Sequence, residues 1–161
     1  MKRIVCIGDS IHGGYEPTVI RELAGWGDVV GIGETQGGNT RNVLEHVGVW
    51  AVELDPDIVH LNAGLHDMAR EPGPGPEPRV RLEEYGANLR QIFSILRNDT
   101  NAIVLFALTT PVDLACQHAV DYGCNRTEED VKAYNEAART AAAECEVPVL
   151  DLQQVIVDHG L

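Results

Sequence analysis

Short apolar runs alternate along this chain with stretches in which apolar residues recur every three to four positions. The short runs predict buried β-strands, and the longer period predicts helices with one buried face. The predicted strands are Ile4–Ile7, Val29–Ile32, Ile58–Asn62, Ile103–Leu108 and Val147–Leu150. Strict alternation of the two patterns is typical of a parallel sheet covered by helices on both faces. We therefore expect an α/β fold in three layers, α/β/α, with a five-stranded parallel sheet in the flavodoxin-like order 2-1-3-4-5.

The helical stretches carry recognisable start and stop signals. In the first, Pro17 suits an opening helical position and Gly25 suits the stop, which leaves Ile11 to Gly14 as a flexible stretch. The second runs from Val43 to Leu54 and the third from Leu82 to Leu96. Thr127 and Asp130 predict a capping box that opens the fourth helix.

The length favours one domain over residues 1–161, since 161 residues can bury a single hydrophobic core. The Pro/Gly-rich segment 71–78 and the segment 111–126 are predicted to be surface loops. Too little chain lies on either side of them for two independent cores.

The charge restricts the class of partner. With 25 acidic residues against 12 basic ones the net charge is −13, which argues against nucleic acid and anionic membrane as partners. There is no signal-peptide pattern at the N-terminus and no apolar run of membrane-spanning length, so we expect a cytoplasmic protein. The four cysteines contain no CxxC pair, which favours free thiols and leaves a Cys116–Cys124 bridge open.

The first candidate for chemistry is Ser10, which follows strand one directly in Gly8-Asp9-Ser10. Open α/β proteins bind their ligands at the carboxyl ends of parallel strands, and this serine is predicted to lie there. Ser10 could be a nucleophile, or it could only cap a helix, as serine often does. The residues of this segment alone leave both interpretations open.

A nucleophilic serine needs hydrogen-bond donors for the oxyanion, and the loops after strands two and three offer them. The segment 33–40 contains paired glycines whose backbone N–H groups could face the site, while Asn39 or Thr40 could also cap an ordinary turn. A phosphate-binding loop is a third possibility, although such loops usually follow strand one. After strand three, His66 could donate a hydrogen bond into the site.

Two histidines near strand three raise the question of a metal. His60, His66 and Asp67 could in principle be ligands, but their spacing matches no metal signature. A buried His60 with satisfied hydrogen bonds explains that residue more simply. The sequence therefore predicts no metal and no cofactor.

Three blocks in order resemble the SGNH (GDSL) hydrolases: Gly8-Asp9-Ser10, Gly38 within Gly38-Asn39-Thr40, and Gly64-Leu65-His66-Asp67. The run from Thr109 to Val112 after strand four is also typical of that family. The triplet alone is weak, but three blocks at three strand ends are fairly specific. The resemblance extends from strand one to strand five.

That resemblance implies a serine ester hydrolase whose partner is a small-molecule ester, either a small acyl or an acetyl ester, including carbohydrate esters; the sequence leaves the oligomeric state open. Ser10 would be the nucleophile, with its own N–H and that of Gly38 as oxyanion donors. His66 stands where the family has a donating asparagine. Asp67 would be structural, bonding backbone and taking no part in the reaction.

One family block is missing from the pattern. The last block of the family is Asp-x-x-His, whereas Asp158 and His159 are adjacent here and do not have that spacing. We therefore expect the sequence to end before the catalytic pair, with the general base beyond residue 161. Two other readings remain open: a catalytically deficient relative that binds an ester or glycan, and a flavodoxin-like nucleotide or flavin binder.

Overall fold

The computed structural model describes residues 1–32, 37–70, 77–112 and 125–160. Its strands are β1 (Lys2–Ile7), β2 (Gly27–Gly31), β3 (Ile58–Asn62), β4 (Ile103–Ala107) and β5 (Val149–Leu150). They form one sheet in the order β2-β1-β3-β4-β5, and every pairing is parallel. The predicted sheet and its strand order are confirmed.

Five α-helices flank the sheet in the part of the chain that the structure describes. They are α1 (Ser10–Glu22), α2 (Thr40–Trp50), α3 (Leu82–Asp99), α4 (Glu128–Glu144) and α5 (Leu152–Asp158), with a 3₁₀ turn at Val52–Leu54. As expected, Thr127 and Asp130 form the capping box of α4, each side chain bonding the other's backbone N–H.

The main core lies between α2, α3, α4 and one face of the sheet. Its sheet side is formed by alternate strand residues, which point to the same face because side chains alternate along a strand. These residues are Val5, Ile7, Val59, Leu61, Val104 and Phe106. The helices add large side chains that are fully buried, among them Tyr85, Phe93 and Leu96. Burial of this apolar surface supplies the main driving force for folding.

The opposite face of the sheet carries the other alternate residues of β1 and β3, including Cys6 and His60. Helix α1 lies against this face, and its Tyr15 and Val19 line a cavity of about 170 Å³ with these two residues. Several apolar side chains near this face are exposed, among them Trp26, Val155 and Val157.

The predicted start of the first helix is wrong. Helix α1 begins at Ser10, so the stretch expected to be flexible is helical and Pro17 lies inside the helix. The helix starts early because the Asp9 carboxylate accepts a hydrogen bond from the Ile11 N–H at 2.9 Å, which satisfies one of the free donors of the first turn. The helix ends at Glu22, and Gly25 adopts a positive φ of 85° in the turn that follows.

Several predictions fall wholly or partly outside the described residues. These are the Gly33–Gln36 part of the loop after β2, most of the two surface loops, and the Cys116–Cys124 bridge. Cys6 and Cys145 are free thiols. Among the described residues, no helix is both long and apolar enough to cross a membrane.

Candidate functional site

Ser10 lies at the carboxyl edge of the sheet, as the first residue of α1. Its side chain is exposed, while the preceding Asp9 is buried and caps the helix. Ser10 is therefore not the N-cap, and its hydroxyl oxygen has no hydrogen-bond partner among the described residues. The positive end of the α1 dipole at this position favours negative charge that develops nearby.

The loop after β2 packs directly on the loop that carries Ser10. A Cβ atom added to Gly37 would lie 2.1 Å from the Gly8 carbonyl oxygen, so only glycine permits this approach. The backbone N–H groups of Ser10 and Gly38 have no partner in the described parts of the chain. Both remain available as donors to a ligand at this edge of the sheet.

The first turn of α2 fixes the position of Gly38. Asn39 caps the helix by accepting a hydrogen bond from the Asn42 N–H at 3.2 Å, and the Asn42 side chain donates to the Gly37 carbonyl at 3.2 Å. Gly38 itself has a φ of 58°, a left-handed conformation that suits glycine. The predicted cap at Asn39 is confirmed, and it holds the candidate donor in a defined place.

A buried network joins the loop after β3 to the same turn. Asp67 Oδ1 accepts hydrogen bonds from the Thr40 N–H at 2.9 Å and from the Thr40 hydroxyl at 2.5 Å. Asn88 on α3 donates to the Thr40 hydroxyl oxygen at 3.1 Å. The bond from Asp67 to backbone agrees with the structural role expected for it. Asn88 was not predicted, because only the packing of α3 against α2 brings it here.

The burial of Asp67 has a consequence for stability. Removal from water raises the pKa of the Asp67 carboxyl to about 7, although the hydrogen bonds from Thr40 act in the opposite direction. Between about pH 4 and pH 7 the folded protein therefore holds a proton that the unfolded chain, with its ordinary pKa of 3.8, has released.

We accordingly expect Asp67 to lower the free energy of unfolding as pH rises from about 4 to 7. Its contribution should have a slope of up to about 1.4 kcal/mol per pH unit. Urea denaturation of the protein and of Asp67→Asn across this range measures it, since the neutral amide keeps one acceptor oxygen and does not titrate. Parallel stability profiles for the two proteins would contradict the expectation.

His66 is half-buried in the loop after β3 and lies within the electrostatic influence of Asp9, the residue next to Ser10. Burial lowers the pKa of His66; Asp9 raises it, and the cations of Arg126 and Arg79 lower it again. The ring is therefore neutral at neutral pH and carries one N–H. Arg126 approaches because its Nε donates to the Leu65 carbonyl at 2.6 Å. This cation near the site was not predicted, since it comes from a segment distant in sequence.

The structure thus brings together the loops that carry Ser10, Gly38 and His66. Gly37 rests on Gly8, Thr40 is bonded to Asp67, and the charge of Asp9 acts on His66. The catalytic roles of the three predicted residues stay predictions, but their common location follows from the sheet order and these contacts.

The histidines in the described parts of the chain form no histidine–carboxylate pair at Ser10. Among the described residues, one histidine lies within 4 Å of a carboxylate: His12 Nε2 is 3.4 Å from a Glu16 oxygen, and His12 is buried near the start of α1. His159 is exposed at the end of α5, where its Nδ1 lies 2.8 Å from the Val155 carbonyl of the same helix. Neither histidine is hydrogen-bonded to the Ser10 hydroxyl, so neither arrangement presents the base of a catalytic triad.

The expectation of a satisfied His60 is wrong. His60 Nδ1 is buried and has no hydrogen-bond partner among the described residues. The reason is that the Tyr15 and His12 rings of α1 pack against this imidazole and shield it from water.

Curated proteins resemble this chain over most of its length. Of the curated proteins, a rat protein named as an isoamyl acetate-hydrolyzing esterase 1 homolog is 29% identical in an alignment that covers 93% of this chain. The human homolog is also 29% identical, over 97% of this chain. The chain spans about two thirds of the length of these relatives, 66% and 68% respectively.

Solved structures share the fold. A lipase/acylhydrolase from Enterococcus faecalis superposes with a TM-score of 0.78 at 20% identity, covering 98% of this chain and 80% of that one. An acetylxylan esterase from Geobacillus stearothermophilus superposes with a TM-score of 0.69 at 14% identity, covering 98% of this chain and 78% of that one.

The sequence profile of the GDSL-like lipase/acylhydrolase family matches residues 6–161, which is nearly the whole chain. This match includes every strand end at which the candidate residues lie. The chain belongs to the GDSL-like lipase/acylhydrolase family.

Proposed function

We propose that this protein is a serine ester hydrolase that uses Ser10 as its nucleophile and acts on small acyl esters, acetyl esters in particular. The observation that carries the proposal is the exposed Ser10 hydroxyl at the start of α1, beside two backbone N–H groups with no partner in the described structure. Acyl transfer needs an accessible oxygen nucleophile together with hydrogen-bond donors for the oxyanion, and these residues supply both kinds of group.

In the reaction, the Ser10 oxygen attacks the ester carbonyl, and the carbonyl oxygen becomes negatively charged. The N–H groups of Ser10 and Gly38, with the ring N–H of neutral His66, would donate hydrogen bonds to this oxyanion. The alcohol then leaves with a proton, and water hydrolyses the acyl-serine in a second step. Two buried carboxylates hold the donor loops in place. Asp67 accepts a hydrogen bond from the Thr40 N–H, and Asp9 accepts one from the Ile11 N–H.

Proton transfer is the step for which the described residues supply no positioned base. A serine hydroxyl stays protonated at neutral pH unless a base accepts its proton. Since no described histidine–carboxylate pair lies at Ser10, water or buffer would accept the proton. Turnover by this chain should therefore be slow, at the level of serine hydrolases that lack one member of their triad, about 10³–10⁴-fold above the uncatalysed rate.

The names of the related proteins support acetyl esters as the substrate class. The curated relatives are named for the hydrolysis of isoamyl acetate, and one structural neighbour is named as an acetylxylan esterase. These substrates share the acetyl group and differ in the alcohol. An acetyl-sized acyl group with a variable alcohol is the substrate class that fits both names.

We expect acetate release from isoamyl acetate and from acetylated xylo-oligosaccharides, with p-nitrophenyl esters cleaved faster as the acyl chain becomes shorter. Acetate release by the protein and by Ser10→Ala measures this. Equal release by the two proteins would reject the proposed nucleophile. A preference for octanoyl over acetyl esters would reject the substrate class.

A further inference from the structure

A second cluster of reactive side chains lies beneath α1, on the face of the sheet opposite the main core. Cys6 of β1 and His60 of β3 are directly opposite each other in the parallel ladder, and His12 projects from α1. The Cys6 sulfur and one ring nitrogen from each histidine all lie within 4.8 Å of one another. These groups have no part in the proposed ester hydrolysis.

Several polar atoms in and around this cluster make no hydrogen bond to any described residue, although the Glu16 carboxylate lies 3.4 Å from His12 Nε2. His12 is 2% exposed, and its Nε2 is buried with no hydrogen bond to any described residue, as are His60 Nδ1 and the Tyr15 hydroxyl. A buried polar group without a partner is unfavourable because it has lost its hydrogen bonds to water. Two of these atoms belong to the histidines of the cluster, so the cluster has ligating capacity that the described residues leave unused.

The fold brings the two imidazole rings close to the thiol. The His12 and His60 ring centroids lie 5.9 Å apart with an interplanar angle of 32°, and His60 is paired with Cys6 in the strand ladder. Neutral imidazole is the form of histidine that binds metals.

We propose that Cys6, His12 and His60 bind a zinc ion, with water as the fourth ligand. One thiolate and two imidazole nitrogens are ligands that Zn²⁺ prefers, and a tetrahedral site at usual bond lengths places them about 3.3–3.6 Å apart. The observed spacing of up to 4.8 Å is wider than this, so side-chain rotations would have to draw the three atoms together around the ion. On binding, the Cys6 thiol releases its proton to solvent and forms the Zn–S bond, and no oxidation is involved.

The surroundings offer open space and charge balance. A cavity of about 170 Å³ beside α1 is lined by Cys6 and His60. The Glu16 carboxylate lies 3.4 Å from His12 Nε2 and fills the space that Gly31 leaves open, where a Cβ atom would lie 1.9 Å from its oxygen. A zinc ion with one thiolate keeps a net positive charge, which this carboxylate offsets.

The consequence would be a metal link between β1, β3 and α1, the helix that begins with Ser10. A ligand that binds the folded state and not the unfolded chain raises the stability of the fold. The site would thus hold in place the helix that presents the nucleophile. The inference stands without the proposed ester hydrolysis, since it rests on other residues and a different face of the sheet.

Cobalt(II) absorption tests the site directly, using a variant in which Cys116, Cys124 and Cys145 are replaced by serine. Cys6 is then the one thiol in the chain, so a thiolate-to-cobalt charge-transfer band must come from it. We expect the chelator-treated variant to bind one Co²⁺ with this band and with the visible bands of a tetrahedral site. Addition of Zn²⁺ should remove the bands and raise the melting temperature.

Two single variants identify the nitrogen ligands. Loss of a residue that only hydrogen-bonds to a metal ligand already lowers metal affinity by about 10–100-fold, and loss of a ligand itself lowers it further. His12→Gln and His60→Gln should each weaken Zn²⁺ binding by more than about 100-fold, while His46→Gln, which changes a histidine on the distant helix α2, should leave it unchanged. Absence of the bands in the single-thiol variant would overturn the proposal, as would equal Zn²⁺ affinity in all three histidine variants. Circular dichroism establishes that each protein is folded.

Discussion

Imidazole added to the 161-residue chain should accelerate the hydrolysis of p-nitrophenyl acetate through Ser10. The described histidines provide no base–carboxylate pair at this serine, so a small base from solution can accept its proton. General base catalysis contributes about 10²–10⁴-fold. A diffusing base is not held in position, so we expect the lower end of that range, about 10²-fold, in kcat at saturating imidazole.

The matched control is Ser10→Ala in the same imidazole buffer, because imidazole itself attacks activated esters. Subtracting its rate leaves the part that depends on Ser10. Fast turnover without imidazole that is lost in Ser10→Ala would contradict the account and make an internal histidine the base, with His159→Ala and His118→Ala as the variants that locate it. If the protein and Ser10→Ala hydrolyse the ester at equal rates at all imidazole concentrations, Ser10 is not the nucleophile.

The second large effect concerns His66 as an oxyanion donor. Loss of one donor of an oxyanion hole lowers kcat by about 10²–10³-fold. We expect His66→Ala to lower the Ser10-dependent kcat by about 10²-fold, measured with imidazole present. His66→Asn should recover much of the loss, since an amide N–H stands at this position in the family that the sequence resembles.

The readout must distinguish a donor from a residue that only supports the loop. An oxyanion donor acts on kcat with little change in KM, because its bond forms fully in the transition state. His46→Ala on α2, where the ring stacks on Trp50 with centroids 4.8 Å apart, is the matched control and should leave kcat unchanged. An unchanged kcat in His66→Ala, or a loss confined to KM, would reject the role.

The sheet could be predicted because its strands are mainly apolar and its helices show a clear helical period. Those patterns indicate which side chains are buried, and strands whose side chains are buried on both faces are typical of parallel sheets. The meeting of the Ser10, Gly38 and His66 loops followed from the same reasoning, since adjacent parallel strands end at one edge. The contacts that hold the loops together, such as Asn88 with Thr40, depend on helix packing and could not be derived from spacing.

The start of α1 shows where local signals compete. Pro17 is well suited to a first helical position, and two glycines precede it, so the pattern favoured a late start. The buried Asp9 carboxylate caps the helix seven residues earlier than Pro17 would suggest, and the helix accommodates the proline. The capping role of Asp9 was not predicted because Asp9 belongs to the Gly8-Asp9-Ser10 motif, which indicates catalysis.

The cluster beneath α1 could not be predicted for a different reason. Cys6, His12 and His60 have no regular spacing along the chain, and strand register places two of them side by side. Sequence motifs for metals rely on ligands that are close in sequence. A site assembled from two strands and a helix has no regular ligand spacing in the sequence. Without that spacing, the sequence predicts His60 only as an ordinary buried histidine.

Covalent labelling with a fluorophosphonate, followed by peptide mapping, tests the central claim most directly. In imidazole buffer the account predicts one label per chain, on the Ser10 hydroxyl, with no label on the Ser10→Ala variant. Ser94 is the other serine of the chain and serves as an internal control. A label on a different residue of the folded protein, or labelling of Ser10 no faster than of Ser94, would contradict the claim that Ser10 is the nucleophile.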